Sequence, residues 1–175
     1  MAVFYAAYFA KQYLQHKQGL TTMVLGEGKK PAKEIWLERL LKLATFTLPA
    51  VEVVSIFVSD AMYEGVGCLV GALGVLSFIM GMSTMRDSWR AGIPEQKETS
   101  LVTTGIYRIS RNPAFLGFDL LYIGILLAFP NVLHACFVLL NIVLFHLQIL
   151  NEERFLEIAF GQEYQDYKKK VRRYI

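Results

Sequence analysis

The chain has 175 residues, 54% of them hydrophobic and 19% charged, and a formal net charge of +3. That length bounds it to one domain, and the apolar content excludes an ordinary soluble domain of this size. The charge excess is too small to point to nucleic acid. The two cysteines, Cys68 and Cys136, sit inside apolar runs and read as small buried residues, neither a disulfide nor a metal pair.

In chain order, the first apolar stretch covers residues 3–14. It is short and carries Lys11, with Tyr5, Tyr8 and Tyr13 at places suited to a membrane boundary, so it reads as a short helix and a candidate fifth span. No basic residue precedes it and no small-residue cleavage pattern follows, so it is not read as a cleavable leader. Four longer runs follow: residues 40–58 (interrupted by Pro49 and Glu52), 66–85, 114–129 and 132–150. A spanning helix needs about 20 mostly apolar residues, so these runs predict an all-α, polytopic membrane bundle of four long spans. Only Pro130-Asn131 separates the last two, which predicts a tight antiparallel hairpin.

Basic residues gather in residues 16–42, in residues 86–111 and in the tail from Lys168 to Arg173. The other two connections carry Asp60 and Glu64, or no charge at all. All basic segments therefore fall on one side, which the positive-inside rule makes cytoplasmic. The expected location is an integral membrane position, a bacterial inner membrane, with the C-terminus and the active site on the cytoplasmic side. In the second long run Gly67, Gly71, Gly74 and Gly81 share a narrow helical face, a pattern that lets helices approach closely in lipid.

Polar groups inside spans are costly and face a cavity or a partner. Asn141, Gln148 and Glu152 lie on one face of the last span, a stripe that runs inward from the cytoplasmic mouth. His146 and Glu153 share another face, and Asp119 lies in the third span with Phe115 and Tyr122 on its side. Glu52, beside Pro49, reads as structural. The segment between the second and third spans is long and polar, yet aromatic enough to be ordered, with Trp89 and Arg90 at its start. HExxH, paired CxxC, Walker and GxGxxG motifs are absent, and Gly26-Glu27-Gly28-Lys29 reads as a linker.

The stretch LVTTGIYRISRNPAFLG, a two-span hairpin and then NEERFLEIAFGQEYQDYKKKV resemble the isoprenylcysteine carboxyl methyltransferase family. Membrane phospholipid methyltransferases share that general pattern. The likeness runs over roughly residues 88–171, about half the chain. It rests on three elements in order: LVTxGIY, R-x-P with an aromatic two residues on, and EExxL followed by FGxEYxxY.

The resemblance implies methyl transfer from S-adenosylmethionine to a lipophilic or amphipathic acceptor, on O, N or S, in a cytoplasmic pocket of the C-terminal half. Residues 1–85 would be the helical scaffold and residues 86–175 the catalytic half. The cofactor would lie against Thr99, Ser100, Leu101, Val102, Gly105, Tyr107, Asn112, Pro113, Ala114, Phe115 and Glu152. Glu152, Glu153, Arg111 and Asn112 are the catalytic candidates. Gln148, Asn141, Asp119, Trp89 and Arg90 are the acceptor-side candidates. Glu153, His146 or Asp119 would serve if the acceptor needs a base. No metal is called for. Partners are the bilayer and the acceptor.

The sequence departs from the family pattern at three places. Asn112 stands where histidine is usual, Phe115 where tyrosine is frequent, and Gln148 where eukaryotic members carry an arginine facing the substrate carboxylate. Two other readings stay open. One is a reductase-like membrane protein with a nicotinamide cofactor, and the other is a non-catalytic relative. The tail beyond Gly161 reads as an amphipathic helix at an anionic surface that also helps cover the cofactor.

Overall fold

A computed structural model describes residues 1–27, 30–92 and 100–175. Among them the chain is helical and forms no strand beyond one isolated bridge between Met23 and Ala91. The helices are α1 (Ala2–Lys17), α2 (Ala32–Val58), α3 (Glu64–Met85), α4 (Pro113–Ala128), α5 (Val132–Phe160) and α6 (Gln162–Lys170), with short 3-10 turns at Arg86–Ser88 and Gly105–Arg108.

The boundaries follow local chemistry. Pro31 precedes α2 and Glu34 lies in its first turn, where a carboxylate suits the helix dipole. α4 opens with Pro113 at its first position, where the missing N–H costs nothing. α5 starts at Asn131, whose side chain accepts from His134 N at 2.8 Å. The Asn131 amide also donates to Ser55 Oγ at 2.8 Å and Ser59 Oγ at 3.1 Å, tying the α4–α5 turn to the end of α2. Asn131→Ala is expected to lower stability by about 1–2 kcal/mol, read as a lower thermal midpoint in detergent.

Three helices, α2, α3 and α5, are long and apolar enough to cross a membrane, and α4 is a shorter apolar helix of 16 residues. Two are longer than the apolar runs alone predict. α2 starts ahead of residue 40 because its charged opening turns, residues 32–39, stay helical. α5 continues past residue 150 to Phe160 because no breaker occurs before Gly161, so Glu152 and Glu153 stand on a helix.

The bundle turns large apolar side chains outward and buries several polar groups within its apolar core. Phe57 is 83% exposed and Val132 80%, whereas Glu38, Glu52, Asn141 and Gln148 are fully buried. That inversion is what lipid as solvent demands. Cys68 and Cys136 are both exposed and free, which corrects the expectation that they are buried. Where the outer surface is itself apolar, membership in an apolar run says nothing about burial.

α3 and α4 make the closest packing, backbone against backbone. A Cβ on Gly74 would sit 2.6 Å from Leu121 N, and one on Gly124 would sit 2.5 Å from Gly71 N. Ser77 Oγ donates to Pro113 O at 2.7 Å and fixes the start of α4 on α3. α1 packs Phe4 against Phe78 and Phe118, and Tyr5 OH donates to Glu52 Oε2 at 3.1 Å. Glu52 thus joins α1 to α2.

Candidate functional site

The loop after α3 and the helical extension of α5 meet at one end of the bundle. Gly105 begins the 3-10 turn at φ +58°, and a Cβ there would lie 2.9 Å from Thr84 Oγ1. Only glycine gives this turn its close seat on α3. The turn delivers Tyr107 inward, and Tyr167 OH of α6 donates to the Tyr107 carbonyl at 2.7 Å. Burial pushes the Tyr107 phenol well above its usual range, with Tyr167 and then Glu152 adding to the effect. Burial raises Tyr167 to about 12. Both therefore stay protonated hydrogen-bond donors.

Glu153 is the hub of the neighbouring loop. Its Oε1 accepts from Arg111 Nη2 at 2.8 Å, Arg111 Nε at 3.2 Å and Arg173 Nε at 3.1 Å, and its Oε2 from Arg173 Nη2 at 2.9 Å. These hydrogen bonds raise the Arg173 pKa. Arg111 further donates to the carbonyls of Lys168 and Val171, at 3.2 and 3.1 Å. The Asn112 amide donates to Arg173 O at 3.1 Å and reaches Glu153 Oε1 at 3.5 Å. The tail after α6 is thereby strapped across residues 110–112. His146 Nδ1 lies 2.7 Å from Tyr174 OH, which holds the tail's end against α5.

Between these parts opens a cleft walled by aromatic residues, among them Trp89, Tyr107, Phe115, Tyr164 and Tyr167. A second, smaller cavity adjoins it, reaching toward Tyr8, Phe78, Phe118 and Phe145. Trp89, Arg90, Phe115 and Glu152 line both. Gln148 Nε2 donates to Glu152 Oε1 at 3.1 Å from the side of the second cavity.

The structure gathers most of the predicted site. All four catalytic candidates, Arg111, Asn112, Glu152 and Glu153, line the larger cleft. So do Ser100, Leu101, Val102, Tyr107, Ala114 and Phe115 of the cofactor set. Gly105 and Pro113 lie behind the wall, shaping the turn and the start of α4, and Thr99 falls outside the described residues. Of the acceptor-side set, Trp89 and Arg90 line both cavities and Gln148 the smaller. Asn141 instead sits in the α2–α5 interface, accepting from Thr45 Oγ1 at 3.4 Å. Asp119 lines neither cavity. Tyr164 and Tyr167 went unassigned at the residue level. Their signal is the FGxEYxxY spacing, which puts both rings on the inner face of α6.

The phospholipid methyltransferase family model matches residues 63–163. The chain belongs to that family. It is 32% identical over 130 residues to the protein-S-isoprenylcysteine O-methyltransferase of Saccharomyces cerevisiae, covering 73% of this chain and 54% of the yeast protein. It is 36% identical over 78 residues to the Schizosaccharomyces pombe enzyme of the same name, covering 43% of this chain and 32% of that protein. A probable counterpart in Oryza sativa subsp. indica is 35% identical over 77 residues, covering 43% of this chain and 40% of the rice protein. The chain thus spans about half, or less, of the length of the curated relatives it matches. No solved structure matches. The chain thus combines the domain of that family with three helices long and apolar enough to cross a membrane.

Proposed function

We propose that the chain transfers a methyl group from S-adenosylmethionine to a lipophilic or amphipathic acceptor, with cofactor in the larger cleft and acceptor in the smaller cavity. The observation that carries this reading is the shared wall: Trp89, Arg90, Phe115 and Glu152 bound both spaces. Transfer needs nucleophile, methyl and leaving sulfur in line, with water excluded.

The residues of the cleft fit the cofactor. The aromatic rings offer faces for an adenine and for a sulfonium cation, and the half-buried Glu152 carboxylate complements that positive charge. When bound, the cofactor supplies an activated methyl group, and the acceptor's nucleophile displaces the thioether. Arg111, Asn112 and Glu153 act by holding residues 110–112 and the tail in place. The apolar walls exclude water. Glu152 is the carboxylate on the shared wall and the group placed to accept a proton from the acceptor. Whether the acceptor atom is O, N or S stays open in this reading.

The division of labour is residues 1–85 as scaffold and residues 86–175 as the catalytic half. α1 and α4 cross the membrane with the three longer helices, and the pocket and C-terminus lie on the cytoplasmic side of a bacterial inner membrane. The one-sided basic segments support that orientation. In the test, detergent-solubilised protein is titrated calorimetrically with S-adenosylmethionine, whose sulfonium carries the charge that Glu152 would face, beside Glu152→Gln. Saturable binding at least about tenfold weaker in the variant is expected, because an opposite charge next to a cleft contributes on the order of 1.4 kcal/mol or more. Equal affinity in a folded variant would remove Glu152 from the pocket. No binding by folded wild type would overturn the reading.

A further inference from the structure

Glu38, outside both the matched family region and the recognised motifs, lies fully buried beneath the site. Its Oε1 and Oε2 accept from Lys30 Nζ at 3.0 and 2.8 Å, and Oε2 also accepts from Gly26 N at 2.7 Å. Gln148 Nε2 reaches Glu38 Oε1 at 3.4 Å and Glu152 Oε1 at 3.1 Å. One amide group thus bridges two carboxylates, one from each half of the chain. The Lys30 ammonium, itself only 7% exposed, balances the charge of Glu38.

The same loop reaches the site by a second route. Val24 N donates to Ala91 O at 2.9 Å and Ala91 N to Thr22 O at 2.8 Å. Gln15 Nε2 donates to Trp89 O at 3.3 Å and accepts, through Oε1, from Thr22 Oγ1 at 3.0 Å. Residues 22–26 therefore hold the Trp89–Arg90 wall that both cavities share.

We infer that Glu38 is a positioning residue of the transferase site: it orients Gln148, and through it Glu152, while anchoring the loop that carries the Trp89–Arg90 wall. The amino-terminal half is then part of the working site and not scaffold alone. Physically, a glutamate side chain has three rotatable torsions, and its carboxylate needs a fixed donor to hold one rotamer. Gln148 is that donor, and its own orientation is set because Glu38 accepts from the same amide.

The inference rests on the cofactor reading above, and its test separates the two. S-Adenosylmethionine affinity is measured for wild type, Glu38→Gln, Glu152→Gln and the double variant, with a thermal melt of each. Glu38→Gln is expected to weaken binding about tenfold in the wild-type background and less than about twofold in the Glu152→Gln background, the non-additivity of groups acting through one contact. Equal losses in both backgrounds would reduce Glu38 to a structural residue and overturn the inference. Gln148→Met runs the same cycle from the middle of the relay, and carries it if Glu38→Gln fails to fold. Wild type that binds through Glu152 yet is indifferent to both changes sinks the relay alone. Wild type that does not bind sinks the cofactor reading and the relay with it.

Discussion

Glu153→Ala is expected to destabilise the protein by about 3–5 kcal/mol, the cost of breaking a buried ion pair from one side. The Arg111 side chain is 7% exposed and that of Glu153 6%, so the stranded guanidinium has little water to turn to. Its remaining partners are the carbonyls of Lys168 and Val171, which are neutral. Arg173 is 31% exposed and recovers hydration more readily. The loss should therefore fall on the strap between residues 110–112 and the tail. Thermal midpoint in detergent reads the stability. Tryptic cleavage after Lys168 to Arg173 reads the strap, and should quicken markedly. Glu153→Gln keeps an acceptor oxygen and is expected to lose less. Asp166→Ala breaks an exposed pair with Lys169, 3.0 Å long, and should leave both readouts unchanged. A Glu153→Ala protein with wild-type melting and cleavage would show that the tail is held by something other than this hub.

Much of this candidate site is legible in the sequence. Glu152 was visible twice, as the mouth of a polar stripe and as part of a family motif, and it lies on the wall between the cavities. The spacing of seven between His146 and Glu153 placed both toward one side, and both meet the tail, at Tyr174 and Arg173. Asn141 obeys the same helical arithmetic as Glu152 but ends in a helix interface. Periodicity gives a face, and only the partner helix decides whether that face meets a cavity. Glu38 was hidden for a different reason. It lies before the apolar run of α2, in a stretch that reads as an ordinary charged helix start, and its role depends on contacts more than 100 residues away in sequence. The cysteines misled because burial was inferred from apolarity, an inference sound in water and reversed in lipid.

Gly124→Leu is expected to abolish the folded bundle or destabilise it by about 3 kcal/mol or more. The reason lies in what the new side chain would meet. A Cβ at Gly124 falls 2.5 Å from Gly71 N and 2.6 Å from Gly67 O, and one at Gly74 falls 2.7 Å from Gly117 O. These are backbone atoms of helices already in contact, so no rotamer change relieves the overlap and the two axes must separate. In lipid the contact between helices is maintained largely by close packing itself, since lipid tails are as apolar as the side chains. Separation therefore forfeits the main attraction between α3 and α4. Position 71 provides the contrast. There a Cβ would meet only Leu121 Cδ1, at 4.0 Å, so Gly71→Ala should melt close to wild type. The graded pair distinguishes a seam from mere glycine content, and equal melting of Gly124→Leu and Gly71→Ala would refute the seam. The effect should also reach the site. α4 carries Ala114 and Phe115 into the cleft wall, and α3 seats the turn of Gly105 through Thr84. The milder Gly124→Ala, if it folds, should bind S-adenosylhomocysteine more weakly than Gly71→Ala, because the wall moves with the seam.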